Sequence, residues 1–367
     1  VKINGTPYRS IWRDAASGEV KIIDQRWLPH ELRIVPLHSL ADFATAIRDM
    51  WVRGAPLIGA TAAWGVAEEM ARDPSDAALQ NAWEVLHDTR PTAINLRWAL
   101  DAMRATLAPL PPDQRAAAAR IRAEAICDED VEINRRIGAN GLTLLREIAA
   151  RKGGGRVNVL THCNAGWLAT VDWGTATSPV YHAVAEGIDV HVYVDETRPR
   201  NQGALLTAWE MNSHGVSHDL IVDNAGGHLM QHGEIDIVIT GTDRTTARGD
   251  VCNKIGTYLK ALAAHANGVP FYVALPSPTI DWTVRDGLAE IPIEERSAHE
   301  VTHVQGRDPE GRVTEVQISP DGTGARNPAF DVTPAELVTG LITERGICPA
   351  TTEGMAALFP EFATAAQ

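Results

Sequence analysis

Five short apolar runs after residue 155 limit the fold more than any other feature: RVNVLTH, DVHVYVD, DLIVD, DIVITG and PFYVALP. Each has the length of a strand buried on both faces. The segments between them, such as ALLTAWEMNSHG and CNKIGTYLKALAAHANG, carry helical periodicity. A chain that alternates in this way buries its strands in a parallel sheet covered by helices on both sides. The expected class is therefore α/β, with a Rossmann-like doubly wound, mostly parallel sheet. Ligands of such sheets bind beyond the carboxyl ends of the strands, so the residues that follow each run are the functional candidates.

The first third reads differently. SIWRD and EVKIID flank a turn-like AASG, which predicts an N-terminal β-hairpin. Helical spacing then takes over. In SLADFATAIRDMWVRG, Ser39 caps the first turn and Leu40, Phe43, Ile47 and Met50 recur until Gly54. Pro56 opens PLIGATAAWGVAEEMA, and SDAALQNAWEVLHDTR, TAINLRWALDAMRATLAP and a long charged segment from Pro112 to Lys152 follow. Gly153, Gly154 and Gly155 break the composition. The predicted division is a smaller, mainly helical lobe with the hairpin over 1–152 and a Rossmann-like catalytic domain over 153–367.

Several function classes are disfavoured. A net charge of −14 argues against nucleic acid or an anionic membrane as partner, because both need a basic face. VKINGTPYRSIWRD lacks the apolar core of a signal peptide, and no apolar stretch approaches the ~18 residues of a spanning helix. Cys127, Cys163, Cys252 and Cys348 are far apart and form no CxxC pair, a usage that fits a reducing cytoplasm better than a disulfide scaffold or zinc knot. His162, His182, His228 and His232 show no ligand spacing, so no metal is expected. The first run is followed by THCNAGWLAT rather than GxGxxG, and a P-loop is absent, so no nucleotide cofactor is expected.

The strand ends carry Cys163, then Asp195 and Glu196, then Asp223 and Asn224, then Asp243. Any one of these acids suits a helix N-cap equally well, and a lone buried cysteine usually packs. Context singles out two of them. Cys163 precedes Asn164, Ala165 and Gly166, small residues across which backbone N–H groups reach a ligand or favour a thiolate at a helix start. Asp243 lies in GTDRTTARGD, where Gly241 allows a close approach and Asn253 and Lys254 follow. A thiol and a carboxylic acid facing one sugar divide the work of base and acid. For a phosphate, WVRGAPLIG offers Arg53, Gly54 and Ala55 before a Pro-initiated helix, and DTRPTAINLRW offers Arg90 before a second helix expected to open at Pro91.

RGAPLIGATAAWGVA, RPTAINL, THCNAG, DETRPRNQGA, DNAGGHL and GTDRTTARGDVCNKIGTY, in this order between about Tyr8 and Pro360, resemble the methylthioribose-1-phosphate isomerases of methionine salvage. The resemblance implies a homodimer and a cofactor-free aldose–ketose isomerase acting on a phosphorylated pentose, 5-methylthioribose 1-phosphate. It implies Cys163 and Asp243 as the catalytic pair, and Arg53, Gly54, Ala55, Arg90, Gln202, Asn253 and Lys254 as substrate-binding residues. Arg97, on the same segment, competes with Arg90 for its role. The superfamily also holds ribose-1,5-bisphosphate isomerases and regulatory subunits of the translation-initiation guanine-exchange factor. The alternatives are thus a 5-deoxyribose-1-phosphate or ribose-1,5-bisphosphate isomerase, or a noncatalytic subunit that senses a sugar phosphate or nucleotide.

Trp51, Trp64 and Trp98 are candidates to line an apolar pocket for a thiomethyl group. In the expected chemistry Asp243, kept protonated by apolar surroundings, donates to the ring oxygen. Cys163, as a thiolate aided by helix-start amides or Lys254, removes the C2 proton. A direct hydride shift from C2 to C1 is the competing route.

Overall fold

The computed structural model describes residues 1–362. The part that follows Gly155 is built on a seven-stranded sheet. In chain order the strands are β1 (Val157–Thr161), β2 (Val190–Asp195), β3 (Ser217–Ile221), β4 (Ile237–Thr240), β5 (Phe271–Ala274), β6 (Gly340–Thr343) and β7 (Gly346–Cys348). They lie in the order β7-β6-β5-β4-β1-β2-β3, with β1 to β6 parallel and β7 returning antiparallel on β6. The five apolar runs thus mark β1 to β5, but β3 lies at the sheet's edge and is largely exposed instead of buried on both faces, because among the described residues no strand pairs with its outer side. The order reverses between β1 and β4, which opens a crevice beyond their carboxyl ends.

Alternation along the strands divides the core in two. Val157, Val159, Val192, Val194, Ile237 and Ile239 point to one face, where they meet Leu145 and Ile148 of a long helix. Leu160, Val238, Phe271, Val273 and Leu341 point to the other, against Ala261 and Ala264 of the helix Thr257–Ala266.

The N-terminal hairpin gains a third strand, so Ile11–Arg13, Val20–Ile23 and Ile34–Leu37 form an antiparallel meander. Ser39 caps the helix Leu40–Arg48 through its side chain, as the spacing predicts. That helix stops at Arg48 rather than continuing towards Gly54, and Met50 adopts a left-handed φ of 57° in the loop that follows. The helix Ala55–Arg72 is buried on every side along most of its length, an all-round apolar pattern that alanine and glycine make possible. It forms the centre of the helical lobe and aims its N-terminus at the sheet. The 40-residue helix Pro112–Arg151 packs Ala119, Ala123 and Ile126 into the helical lobe's core, and Ile137, Leu142 and Leu145 against the sheet.

Two expectations are corrected. Pro91 does not open a helix, because the next one spans Ile94–Leu107 and the chain turns through residues 90–93 first. In CNKIGTYLKALAAHANG only the later part is helical. Val251–Lys254 is a strand in a separate four-stranded sheet, paired antiparallel with Arg244–Thr246 and Phe330–Thr333. Its partner strand comes from almost 80 residues further on (254 to 330), a long-range pairing that overrides local helical periodicity.

Candidate active site

The crevice is made by the loops after β1 and β4. They touch through Gly241, where an added Cβ would lie 2.6 Å from the Ala165 Cβ. Cys163 opens the first loop with a φ of 65°, a left-handed conformation that costs a non-glycine residue of order 1 kcal/mol. Its neighbours hold it there. The backbone N–H donates to Thr197 Oγ1 at 2.8 Å, and its carbonyl accepts from Thr207 Oγ1 at 2.7 Å. The sulfur is buried, and Arg53 Nη2 lies 3.9 Å from it. Burial pushes the Cys163 thiol up, while Arg53 first and Lys254 second pull it down. No long helix starts after Cys163; the chain makes a single 3-10 turn at Trp167–Ala169, so Arg53, Lys254 and then the Asn164 amide favour the thiolate without a helix start.

Asp243 is half-buried after β4, and its backbone N–H donates to the Cys252 carbonyl at 2.9 Å. It shares a small cleft with Gly54, Ala55, Arg90 and Cys252. The walls mix Ile58 and Phe330 with two guanidiniums, those of Arg90 and Arg244, and so are not purely apolar. Arg90 is largely buried and sits 3.6 Å from Glu294; burial lowers its pKa, and Glu294 and Asp243 act against that. Lys254 is buried with its ammonium 4.4 Å from the Phe330 ring centre. Burial lowers its pKa as well, opposed by Cys163 and Asp243. Three cations therefore surround one thiol and one acid.

Gly54 precedes the helix Ala55–Arg72 with a φ of 99°, and a Cβ there would meet the Ala169 main chain at 2.5 Å. No side chain caps this helix start. The Ala55 and Leu57 amides have no intrahelical acceptor, so they are donors available to an anion. Asn253 is buried and donates from Nδ2 to Thr257 Oγ1 at 2.9 Å. Gln202 is also buried, and its Oε1 has no hydrogen-bond partner. With Arg53 it lines a cavity of about 380 Å³ that also takes in Trp27, Met50 and Leu206.

The structure separates Arg90 from Arg97. Arg97 is 69% exposed and pairs with Asp101 on the helix surface at 3.7 Å. None of the tryptophans expected around a thiomethyl group lines the Asp243 cleft or the cavity of about 380 Å³. Trp64 is buried in the helical lobe's core, Trp98 lines a separate small pocket, and Trp51 lies beneath Arg26; Trp27 is the indole at the large cavity.

Asp195 and Asp223 brace the site from below. Asp195 is fully buried and accepts from His162 Nδ1 and Lys260 Nζ, both at 2.9 Å. Asp223 accepts from the Thr197 and Arg198 amides at 2.7 and 2.8 Å. His162, Asp195 and Asp223 lie close enough together to hold a cation. The Lys260 ammonium already provides the positive charge there.

Sequence reasoning missed Glu210. It is fully buried and accepts from Asn164 Nδ2 (2.9 Å), the Leu168 amide (2.9 Å), the Trp167 amide (3.2 Å) and the Tyr181 hydroxyl (3.0 Å). Gly166 exists for this carboxylate and not for a ligand, since a Cβ would lie 1.7 Å from Glu210 Oε2. The available signal was an acid within the apolar helical segment ALLTAWEMNSHG.

The fold and the strand-end thiol and acid define a class. The chain belongs to the Initiation factor 2 subunit family, whose sequence model matches residues 51–350. Within it, the chain is 82% identical to a methylthioribose-1-phosphate isomerase of Cereibacter sphaeroides, covering 100% of both chains. It is 70% identical to one of Sinorhizobium medicae, over 98% of this chain and 100% of that one. The 5-methylthioribose 1-phosphate isomerase of Pyrococcus horikoshii superposes with a TM-score of 0.83 at 39% identity, covering 97% and 96% of the two chains. The translation initiation factor eIF-2B subunit delta of A. fulgidus superposes at 0.79 and 36% identity, over 96% of this chain and 100% of that one. The chain therefore stands among the methylthioribose-1-phosphate isomerases of that family.

Two outcomes are expected. Burial pushes the Cys127 and Cys252 thiols up to about 12 and Cys348 up to about 11. Iodoacetamide should label Cys163 at a lower pH than the other three, read by peptide mass spectrometry; prior labelling of another cysteine would contradict the electrostatic picture. Burial also pushes Glu210 up from 4.5 to about 7. The folded state then holds this proton more tightly than the unfolded chain, so its contribution to stability declines as pH rises from about 4.5 to about 7. The loss is about 3 kcal/mol. Glu210→Gln should remove that part of the pH slope of Tm, at lower overall stability because an amide N–H then faces donors.

Proposed function

We propose that this chain isomerises 5-methylthioribose 1-phosphate to 5-methylthioribulose 1-phosphate, with Cys163 and Asp243 as base and acid. The observation that carries the reading is a buried thiol at the end of β1, with Arg53 3.9 Å from its sulfur, across the switch point from Asp243 after β4. The Ala55 and Leu57 amides and Arg90 would take the phosphate beside that pair. Gln202, with its free buried oxygen, and Asn253 would hold sugar hydroxyls.

The C1 phosphate locks the aldose as a ring, so opening is part of the catalysis. Asp243 gives its proton to the ring oxygen as the bond from C1 to that oxygen breaks. The Cys163 thiolate removes the C2 proton, leaving a double bond between C1 and C2 with a hydroxyl on C2. The C2 hydroxyl then returns its proton to Asp243 while Cys163 protonates C1, which yields the 1-phosphoketose with both groups restored. The charge of Asp243 opposes ionisation of the thiol. Of the forms of the pair that carry a single negative charge, the reaction starts from the one with the charge on sulfur and the proton on the carboxyl.

The same reading includes a cytoplasmic homodimer. Leu220 and Val222, at the edge strand β3, are exposed and offer a second copy an apolar edge.

The test is turnover of 5-methylthioribose 1-phosphate, its 5-deoxy analogue and ribose 1,5-bisphosphate, ranked by kcat/KM. The methylthio sugar should lead. Cys163→Ser and Asp243→Asn should each lower kcat at least ~100-fold with ligand binding retained. Solvent deuterium at C1 of the product supports proton transfer. Phosphate-ligand binding without turnover of any of the three sugars would instead establish a sensing subunit.

A further inference from the structure

Arg53 is not a free phosphate clamp. Its Nη1 donates to both the carbonyl and the side-chain Oδ1 of Asn164, at 2.9 and 2.5 Å, which leaves Nη2 directed at the Cys163 sulfur. Asn164 is buried and has one donor end and one acceptor end. Arg53 is donor only, so it requires Oδ1 on its side. On the other side Nδ2 meets Glu210 Oε1 at 2.9 Å and Thr207 Oγ1 at 3.2 Å. Glu210 Oε1 also takes the Leu168 amide and acts as an acceptor whether or not the acid is ionised, so it requires Nδ2 there. The two demands agree and fix the amide in one orientation.

Glu210 itself cannot turn. Four donors hold its two oxygens, two of them the main-chain amides of Trp167 and Leu168, and Gly166 lies directly against it. The line of contacts therefore runs from a rigid buried carboxylate, through one amide, to the cation that faces the sulfur.

We propose that Glu210 is a positioning residue for the Cys163 base: acting through Asn164, it holds the Arg53 guanidinium against the sulfur. Glu210 touches neither the sulfur nor the crevice, and its effect on catalysis passes through the orientation of a charge. The inference rests on the assignment of Cys163 as base, but it makes a claim about the thiol in the protein without substrate.

The test is the pH dependence of Cys163 alkylation by iodoacetamide in the full-length protein without substrate, for the parent, Glu210→Gln, Asn164→Ala and Arg53→Met. Loss of the held cation should move the ionisation midpoint of Cys163 upward by about half a unit to one unit. At one unit below the parent's midpoint, the alkylation rate then falls about three- to tenfold. Circular dichroism and Tm report folding for each variant. Should Glu210→Gln fail to fold, Asn164→Ala alone decides, because it cuts the same line without disturbing the carboxylate's other donors. Combining Asn164→Ala with Arg53→Met should add little to Arg53→Met alone, since both remove one effect.

A folded Asn164→Ala variant that keeps the parent's midpoint would overturn the proposal. So would fully additive shifts in the double variant. These outcomes are separable from failure of the isomerase reading, which concerns turnover: a shifted midpoint in a protein that turns over none of the three sugars would leave the positioning role standing and remove the reaction.

Discussion

A positive charge from one lobe meets a buried sulfur from the other. Arg53 leaves the helical lobe immediately before its central helix, and the sulfur it approaches sits at the carboxyl end of β1, an interior strand of the sheet. A thiol taken out of water resists ionisation, and cations nearby offset that resistance. Much of the surrounding architecture serves this contact. The all-round buried helix Ala55–Arg72 sets where Arg53 emerges, the left-handed turn at Cys163 sets where the sulfur points, and Glu210 bounds the loop between them.

The cations also show how a chain with a net charge of −14 handles a phosphorylated sugar. Positive charge is concentrated in Arg53, Arg90 and Lys254, which lie around one crevice and within electrostatic reach of one another. Each is partly or largely withdrawn from solvent, so its field acts on the crevice with little screening. The uncapped start of the central helix adds backbone donors at the same place. Fold alone does not assign the chemistry, since a translation-factor subunit shares the architecture at a TM-score of 0.79. In the proposed reading the chemistry comes from the thiol, the acid and the cations at the switch point.

What the sequence disclosed follows the range of the forces involved. Strands β1 to β5 were legible because each is a continuous apolar run, and Ser39 was legible as a cap because capping is local. Cys163 and Asp243 were legible as candidates because ligands of a doubly wound sheet bind beyond its strand ends, and the small residues beside each marked them out from the other strand-end acids. The strand Val251–Lys254 was not legible, because distant residues 330–333 supply its pairing. Glu210 was hidden for the same reason: its partners at 164, 167, 168 and 181 come together only in the folded chain. Gly166 was visible as a small residue, yet the reason for its size is that distant carboxylate.

The most direct test of this account is a crystal structure with 5-methylthioribulose 1-phosphate bound. The phosphate should rest on the Ala55 and Leu57 amides and Arg90, with C1 and C2 between the Cys163 sulfur and the Asp243 carboxylate. A sugar bound with its phosphate elsewhere, and with C2 out of reach of both groups, would contradict the assignment of Cys163 and Asp243 as base and acid.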